Sequence, residues 1–245
     1  MKTRVLFLLA VTMVFAGLTW SDTIIKSYSP VLSGGTVADF EGFPEFTLIS
    51  TQYAGMTFSQ DDGGTPMIDN YGENGGAGGC SGLAWCFGYG ASSGSGVLTG
   101  STTGGAPFPT VAGIIVTFDS LQSDVQGFLS DTHPLGDYTI TAYDASMAVL
   151  HSFTVLGSEI LPPGYSGGTF PPPGTSPPPG IYVGFQDTLA DIHAFQIGPS
   201  SASGDAFAVD DIMFSGGATV PEPGSIVLLG SVLAGCWLIR RRRAA

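Results

Sequence analysis

Tyr138-Thr139-Ile140-Thr141-Ala142-Tyr143 decides the fold. Tyr138, Ile140 and Ala142 fall on one face and Thr139, Thr141 and Tyr143 on the other, the two-residue period of a half-buried antiparallel strand. Seven further short runs are rich in β-branched and aromatic residues: Tyr53 to Ser59, Thr110 to Phe118, Val125 to Leu129, Met147 to Val155, Ile181 to Phe185, Ile192 to Ile197 and Phe207 to Phe214. Clusters of Gly, Pro, Asp and Ser separate them, as turns separate strands. Nothing between residues 22 and 219 sustains a 3.6-residue apolar period. Strands at this spacing predict one all-β domain over 22–219, an antiparallel two-sheet sandwich or jelly roll, in a stretch long enough to bury a sizeable core.

Two stretches interrupt the strand pattern. Residues 61–105 are glycine-rich, and Asp61 to Gly79 read as a flexible acidic surface loop. The loop lacks calcium-loop spacing, because Tyr71 falls where an oxygen ligand is needed and Gly75 to Gly79 carries no aspartate. Cys80 and Cys86 flank Trp85, and two nearby cysteines in an exported chain predict a disulfide worth only about 2 kcal/mol, since the loop it closes is short. Trp85, Phe87 and Tyr89 either cap the core or offer a stacking platform for a sugar ring. Residues 161–180 carry two Pro-Pro-Pro-Gly units, which impose stiff polyproline II geometry and predict a solvated loop that acts as a plain spacer, with glycosylation at Thr175 or Ser176 as the lesser alternative.

Composition changes at both ends. Lys2 and Arg4 precede 14 apolar or small residues from Val5 to Leu18, and Thr19 and Ser21 suit cleavage before Asp22, so residues 1–21 predict a helical secretory signal peptide. At the other end, Val220-Pro221-Glu222-Pro223-Gly224 is followed by 15 uncharged residues, Ser225 to Ile239, and then by Arg240, Arg241, Arg242 and Arg243. The prolines fix φ and remove two donors, making an extended tether. At ~1.5 Å per residue the apolar run makes a helix of roughly 23 Å, slightly short of a ~30 Å hydrocarbon core. Long arginine stems and local thinning cover the difference. The arginines stay cytoplasmic, so a transmembrane helix over 225–239 holds the body outside the membrane.

All 20 acidic residues lie between Asp22 and Glu222, where Lys26 is the one basic side chain apart from histidines, a net charge of −19. That field repels phosphate backbones and anionic lipid, which excludes nucleic-acid binding and leaves cations or neutral glycans as partners.

Pro221-Glu222-Pro223, the apolar helix with Leu228, Leu229, Gly230, Leu233 and Gly235, and the terminal Arg240 to Arg243 together resemble the PEP-CTERM sorting signal. The resemblance covers 220–245. It implies processing at or near Pro-Glu-Pro by an exosortase, a membrane-embedded cysteine protease-transpeptidase, in a Gram-negative bacterium that makes exopolysaccharide. The product would stand at the cell surface or in the extracellular (biofilm) matrix. The body is similar to the β-sandwiches that precede such tails, and in outline to carbohydrate-binding-module jelly rolls. The residues concerned are Asp39-Phe40-Glu41-Gly42, Gln52 to Phe58 and Phe207 to Ile212. This likeness implies a structural Ca²⁺ held by Glu41, with Asp39, and by Asp211 or Asp210. Oxygen ligands without His or Cys suit that ion. The apolar phase also slips by one residue, from Phe207 and Val209 to Ile212 and Phe214, as a β-bulge that aims the two aspartates differently would require. The alternative is solvated aspartates that discourage edge pairing.

Catalysis finds little support. Gly90-Ala91-Ser92-Ser93-Gly94 has the form of a nucleophile elbow, but Ser95 to Gly100 offers no helix after it. His151 shares a predicted face with Val149 and Phe153, His193 with Phe195 and Ile197, and His133 precedes a proline; no acid, base and nucleophile converge. The expectation is an exported, non-enzymatic surface or matrix protein, with a glycan-binding module or, less favoured, a secreted hydrolase as alternatives.

Overall fold

The computed structural model describes residues 22–44, 46–70, 93, 96–100, 112–130, 136–160, 163, 180–200 and 207–216. Its strands are β1 (Thr23–Ser27), β2 (Thr36–Ala38), β3 (Met56–Gln60), β4 (Met67–Asn70), β5 (Gly96–Thr99), β6 (Ile114–Gln122), β7 (Asp124–Ser130), β8 (Tyr138–Tyr143), β9 (Val149–Val155), β10 (Ile181–Gln186), β11 (Ile192–Pro199) and β12 (Ala208–Ser215). A helical turn, α1 (Gly157–Ile160), follows β9. One sheet runs β1-β10-β7-β12-β5-β4, with β2 also paired to β12, and the other runs β3-β6-β11-β8-β9. Every pairing is antiparallel.

The two-residue period explains which side chains fill the space between the sheets. Tyr138, Ile140 and Ala142 of β8 are buried as their alternation requires, and they join Phe58, Val116, Phe118, Phe195, Val125, Val183 and Ile212 in one core. Strand β7 is buried on both faces. Val125 and Leu129 belong to the inter-sheet core, while Phe128 packs at a tilt against Tyr182, ring centroids 5.0 Å apart, and Gln126 Oε1 accepts bonds from Val31 N and Leu32 N of the β1–β2 connection.

All eight predicted strands are present, and four others formed where none was expected. The loop predicted over Asp61 to Gly79 contains β4, and the glycine-rich stretch 61–105 contains β5, whose four residues are all buried. The reason is local. Val97 and Leu98 are a short apolar island, and flanking Gly96 is needed because a Cβ there would lie 2.3 Å from Phe40 O. Two phase slips take physical form. In β12 the register against β7 shifts between Asp210 and Met213, with Asp211 at φ 45°, which is the expected bulge. In β9 the register against β8 also shifts, Ala142 facing His151 but Tyr143 facing Val149. That second bulge separates residues expected on one face: Val149 is 60% exposed, whereas Leu150 and Phe153 pack on the core.

The predicted signal helix (1–21), the tail 220–245 with the transmembrane helix predicted in it, and the Pro-rich loop except for residues 163 and 180 lie outside the described residues. Among the described residues no helix is long and apolar enough to cross a membrane.

Candidate functional site

Strand β12 changes partner along one edge. Before the bulge Ala208 and Val209 pair with Thr99 and Leu98 of β5; after it Ile212, Met213 and Phe214 pair with β2. The bulge therefore sits at the handover between two neighbours, and the chain leaving β2 turns there. Phe40 takes φ 56° and drives its ring into the core, edge-on to Tyr53 and Phe58 at centroid distances of 5.6 Å each. Asp39 and Glu41 are left at the rim.

Asp210 and Asp211 do not stand solvated at a sheet edge, as one reading of the sequence had it. They lie in an internal strand, 0% and 7% exposed. Asp210 Oδ1 accepts from Asp211 N at 2.7 Å and Oδ2 from Ser93 N at 3.1 Å; Ser93 Oγ donates to Asp211 Oδ1 at 2.9 Å. Glu41 Oε1 accepts from Gly96 N at 2.8 Å, and Asp39 Oδ1 from Glu41 N at 3.3 Å. Tyr53 ties these groups together. Its hydroxyl accepts from Phe40 N at 2.7 Å, and burial first, then the charges of Asp39 and Asp210, push its pKa up to about 12 against the lowering effect of that bond.

Glu41, Asp39, Asp210 and Asp211 thus gather at one notch. Among the described residues, however, no three of these four bring an oxygen each within 4.8 Å of one another, because Glu41 is turned onto Gly96 N and Asp39 faces solvent. Ser93, from the elbow-like stretch, is spent on the aspartates. Asp61 is also committed, accepting from Gly113 N at 3.0 Å and Gln196 Nε2 at 3.0 Å. Cys80, Cys86, Trp85, Phe87, Tyr89, Ser92 and His133 lie outside the described residues, as do Pro221, Glu222, Pro223 and Arg240 to Arg243. A cavity of about 190 Å³ beside Leu32, Gln186 and Met213 is smaller than the ~300 Å³ at which small-molecule pockets begin.

A second polar cluster lies elsewhere and was missed in the sequence. His151 Nε2 is 2.8 Å from Asp187 Oδ2 and 3.7 Å from Asp22 Oδ2, and these are the described residues in which three such side chains converge within 4.8 Å. The imidazole lies 5.5 Å from the Phe185 ring. Asp22 Oδ1 accepts from Thr188 N and Oγ1, and Asp187 Oδ1 from Leu189 N at 2.8 Å. Burial opposes ionisation of Asp187, but the bonds from Leu189 N, His151 and Asp191 outweigh it and hold its pKa below the usual carboxylate range. Asp191 goes the other way, raised by burial and then by its hydrogen bond with Asp187 and that residue's charge. The signal existed only as a parity: His151 alternates with Phe153 on an inward face. Its partners are 129 and 36 residues away, a separation that periodicity cannot bridge.

Residues 219–243 match the family described as the PEP-CTERM protein-sorting motif. The match covers the tail alone, and the motif is a sorting signal rather than a catalytic family. No curated protein matches the chain. Among solved structures, the K2 cleaved adhesin domain of Lys-gingipain is similar at 15% identity and TM-score 0.42, over 80% of this chain and 99% of that one. The K1 cleaved adhesin domain of Lys-gingipain from Porphyromonas gingivalis W83 gives 12%, 0.40, 76% and 100%, and a DUF4465 family protein from Bacteroides caccae gives 14%, 0.38, 81% and 100%, in the same order. All of these scores are low, and nothing about function follows from them.

Proposed function

We propose that this is an exported, non-catalytic cell-surface or matrix protein of a Gram-negative bacterium, delivered through a C-terminal tail that an exosortase reads and removes. The observation that carries this reading is the motif match over 219–243, with Pro221-Glu222-Pro223, an uncharged apolar run and Arg240 to Arg243 in the order a membrane-embedded processing enzyme needs. The strongly acidic body supports it, since such a charge keeps an exported domain soluble and away from anionic lipid. Mass spectrometry of the mature C-terminus from the native host tests it. The expected product ends at or near Pro221 to Pro223 in wild-type cells and keeps its arginines when the exosortase gene is deleted; Arg240 to Arg243 on the mature protein of wild-type cells would overturn the reading.

We propose further that the body holds a structural calcium ion at the β12 notch. Asp210 and Asp211 are adjacent buried carboxylates at the point where β12 passes from β5 to β2. The donors are oxygens throughout, which suits Ca²⁺. Asp210 and Asp211 would be the ligands, joined by Glu41 on its release from Gly96 N. The ion would hold β2, β5 and β12 together where the ladder is interrupted. Thermal unfolding with calcium and with chelator tests this, and coincident midpoints would remove the ion from the account.

A further inference from the structure

The two sheets of the sandwich each end in an edge strand on the same side of the molecule, β1 for one and β9 for the other. Polar contacts already cross this seam: Lys26 of β1 reaches Glu159 just beyond β9 at 2.8 Å, and its ammonium lies 5.7 Å from the Phe153 ring centroid. The Asp22, His151 and Asp187 cluster occupies the same seam. Asp22 precedes β1, His151 belongs to β9, and Asp187 follows β10, the neighbour of β1.

We propose that Asp22, His151 and Asp187 form a binding site for a divalent d-block cation, Zn²⁺ being the best fit, which clasps edge strands β1 and β9 across the open side of the sandwich.

Donor chemistry separates this site from the notch. An imidazole nitrogen with carboxylate oxygens is a zinc-type set and a poor one for calcium or magnesium. The geometry is close to that of the occupied site. Ligands about 2.0–2.1 Å from a tetrahedral ion stand about 3.3 Å from one another, and the present separations of 2.8 and 3.7 Å from His151 Nε2 bracket that value. Opening the His151–Asp187 contact to that spacing asks for a shift of about 0.5 Å, and the three donor atoms already lie within 4.8 Å of one another. The site is also built rather than accidental. Asp187 is 3% exposed in its side chain, its second oxygen is fixed by Leu189 N, and Asp22 is fixed by Thr188. A separate observation points to something missing: Asp191 Oδ1 is buried and has no hydrogen-bond partner, next to the Asp187 carboxylate with which Asp191 shares a bond. A water on the bound ion would satisfy that atom, and Asp191 would then act as the outer carboxyl that orients a ligating one. Among the described charged groups at the cluster, Asp22, Asp187 and Asp191 are carboxyls and His151 is the base, so a cation suits the local charge.

The test is titration of the untagged full chain in detergent with ZnCl₂ by calorimetry, repeated with CaCl₂, and with CoCl₂ to read the visible absorption of the bound ion. The expected result is one Zn²⁺ per chain with a micromolar or tighter dissociation constant, an intense low-coordinate Co²⁺ spectrum, and no displacement by millimolar Ca²⁺. His151→Gln should weaken Zn²⁺ binding at least tenfold, while His193→Gln and Asp210→Asn leave it within twofold. Asp22→Asn provides a second variant at a position with 43% side-chain exposure, where folding is tolerant, and should weaken binding by a similar factor. Absence of zinc binding at 1 mM, or undiminished binding in both His151→Gln and Asp22→Asn, would overturn the proposal and leave the cluster as an ion pair. Because calcium at the notch and zinc at the seam involve different residues, failure of one does not imply failure of the other.

Discussion

Tyr53 is the residue through which the notch and the core communicate. Its ring packs on Phe40, Phe43 and Phe58, and its hydroxyl holds the amide of Phe40, a residue kept at φ 56°. Burial, followed by the charges of Asp39 and Asp210, raises its pKa to about 12, above the ordinary value near 10. A folded-state pKa raised in this way contributes stability that is fully present below about pH 10 and is lost as the pH climbs through 12. The urea midpoint of the wild type should therefore fall between pH 10 and 12, and that of Tyr53→Phe should fall less over the same window. Equal slopes would show that the phenol ionises as freely in the fold as in the unfolded chain. At neutral pH the same substitution should cost about 1 kcal/mol, since the Phe40 amide loses its acceptor. Gly96→Ala tests the opposite wall of the notch. The added Cβ would stand 2.3 Å from Phe40 O, a backbone atom that cannot swing aside, so a loss of about 2–3 kcal/mol is expected in urea denaturation. At Gly42, where a Cβ meets nothing but φ is 78°, the loss should be closer to ~1 kcal/mol.

Strands were legible where side chains alternate or where apolar residues cluster, and illegible where a strand owes its existence to its neighbours. Strand β8 is found at the boundaries read from its sequence, because six alternating residues carry their own instruction. The bulge in β12 was also legible, since a phase slip between Val209 and Ile212 is written in the residues themselves. Strand β5 was not. Its short Gly-Val-Leu-Thr segment, set in a glycine-rich stretch, has almost no intrinsic preference and becomes a strand by pairing with β4 on one side and β12 on the other. The His151 cluster was hidden for the same reason, since β1, β9 and the turn after β10 meet only through the sheet order. Leu98→Ala separates a packed strand from a surface loop. Leu98 is 0% exposed and belongs to the core, so the substitution should cost about 2–4 kcal/mol in chemical denaturation, whereas a solvated loop would lose almost nothing.

Across the whole molecule, electrostatics and topology impose one shared requirement. The body, residues 22–219, sets nineteen carboxylates against Lys26, whose contact with Glu159 is partly exposed and worth under about 1 kcal/mol. Most of these carboxylates repel one another through solvent, and salt screens such repulsion over a Debye length of ~10 Å at 0.1 M. Raising NaCl from low concentration should therefore increase the melting temperature of the wild type and of Asp210→Asn alike. Screening does not reach Asp210, which is wholly buried where β12 leaves β5 for β2. A cation seated at that handover would replace the hydrogen bonds that the bulge forfeits, so its effect belongs to the fold rather than to the ion atmosphere. At matched ionic strength CaCl₂ should then raise the wild-type midpoint beyond the NaCl curve by several degrees, and the excess should vanish in Asp210→Asn while the NaCl response persists. Superimposable NaCl and CaCl₂ curves in the wild type would mean that calcium acts only as a diffuse counterion and has no seat at the handover.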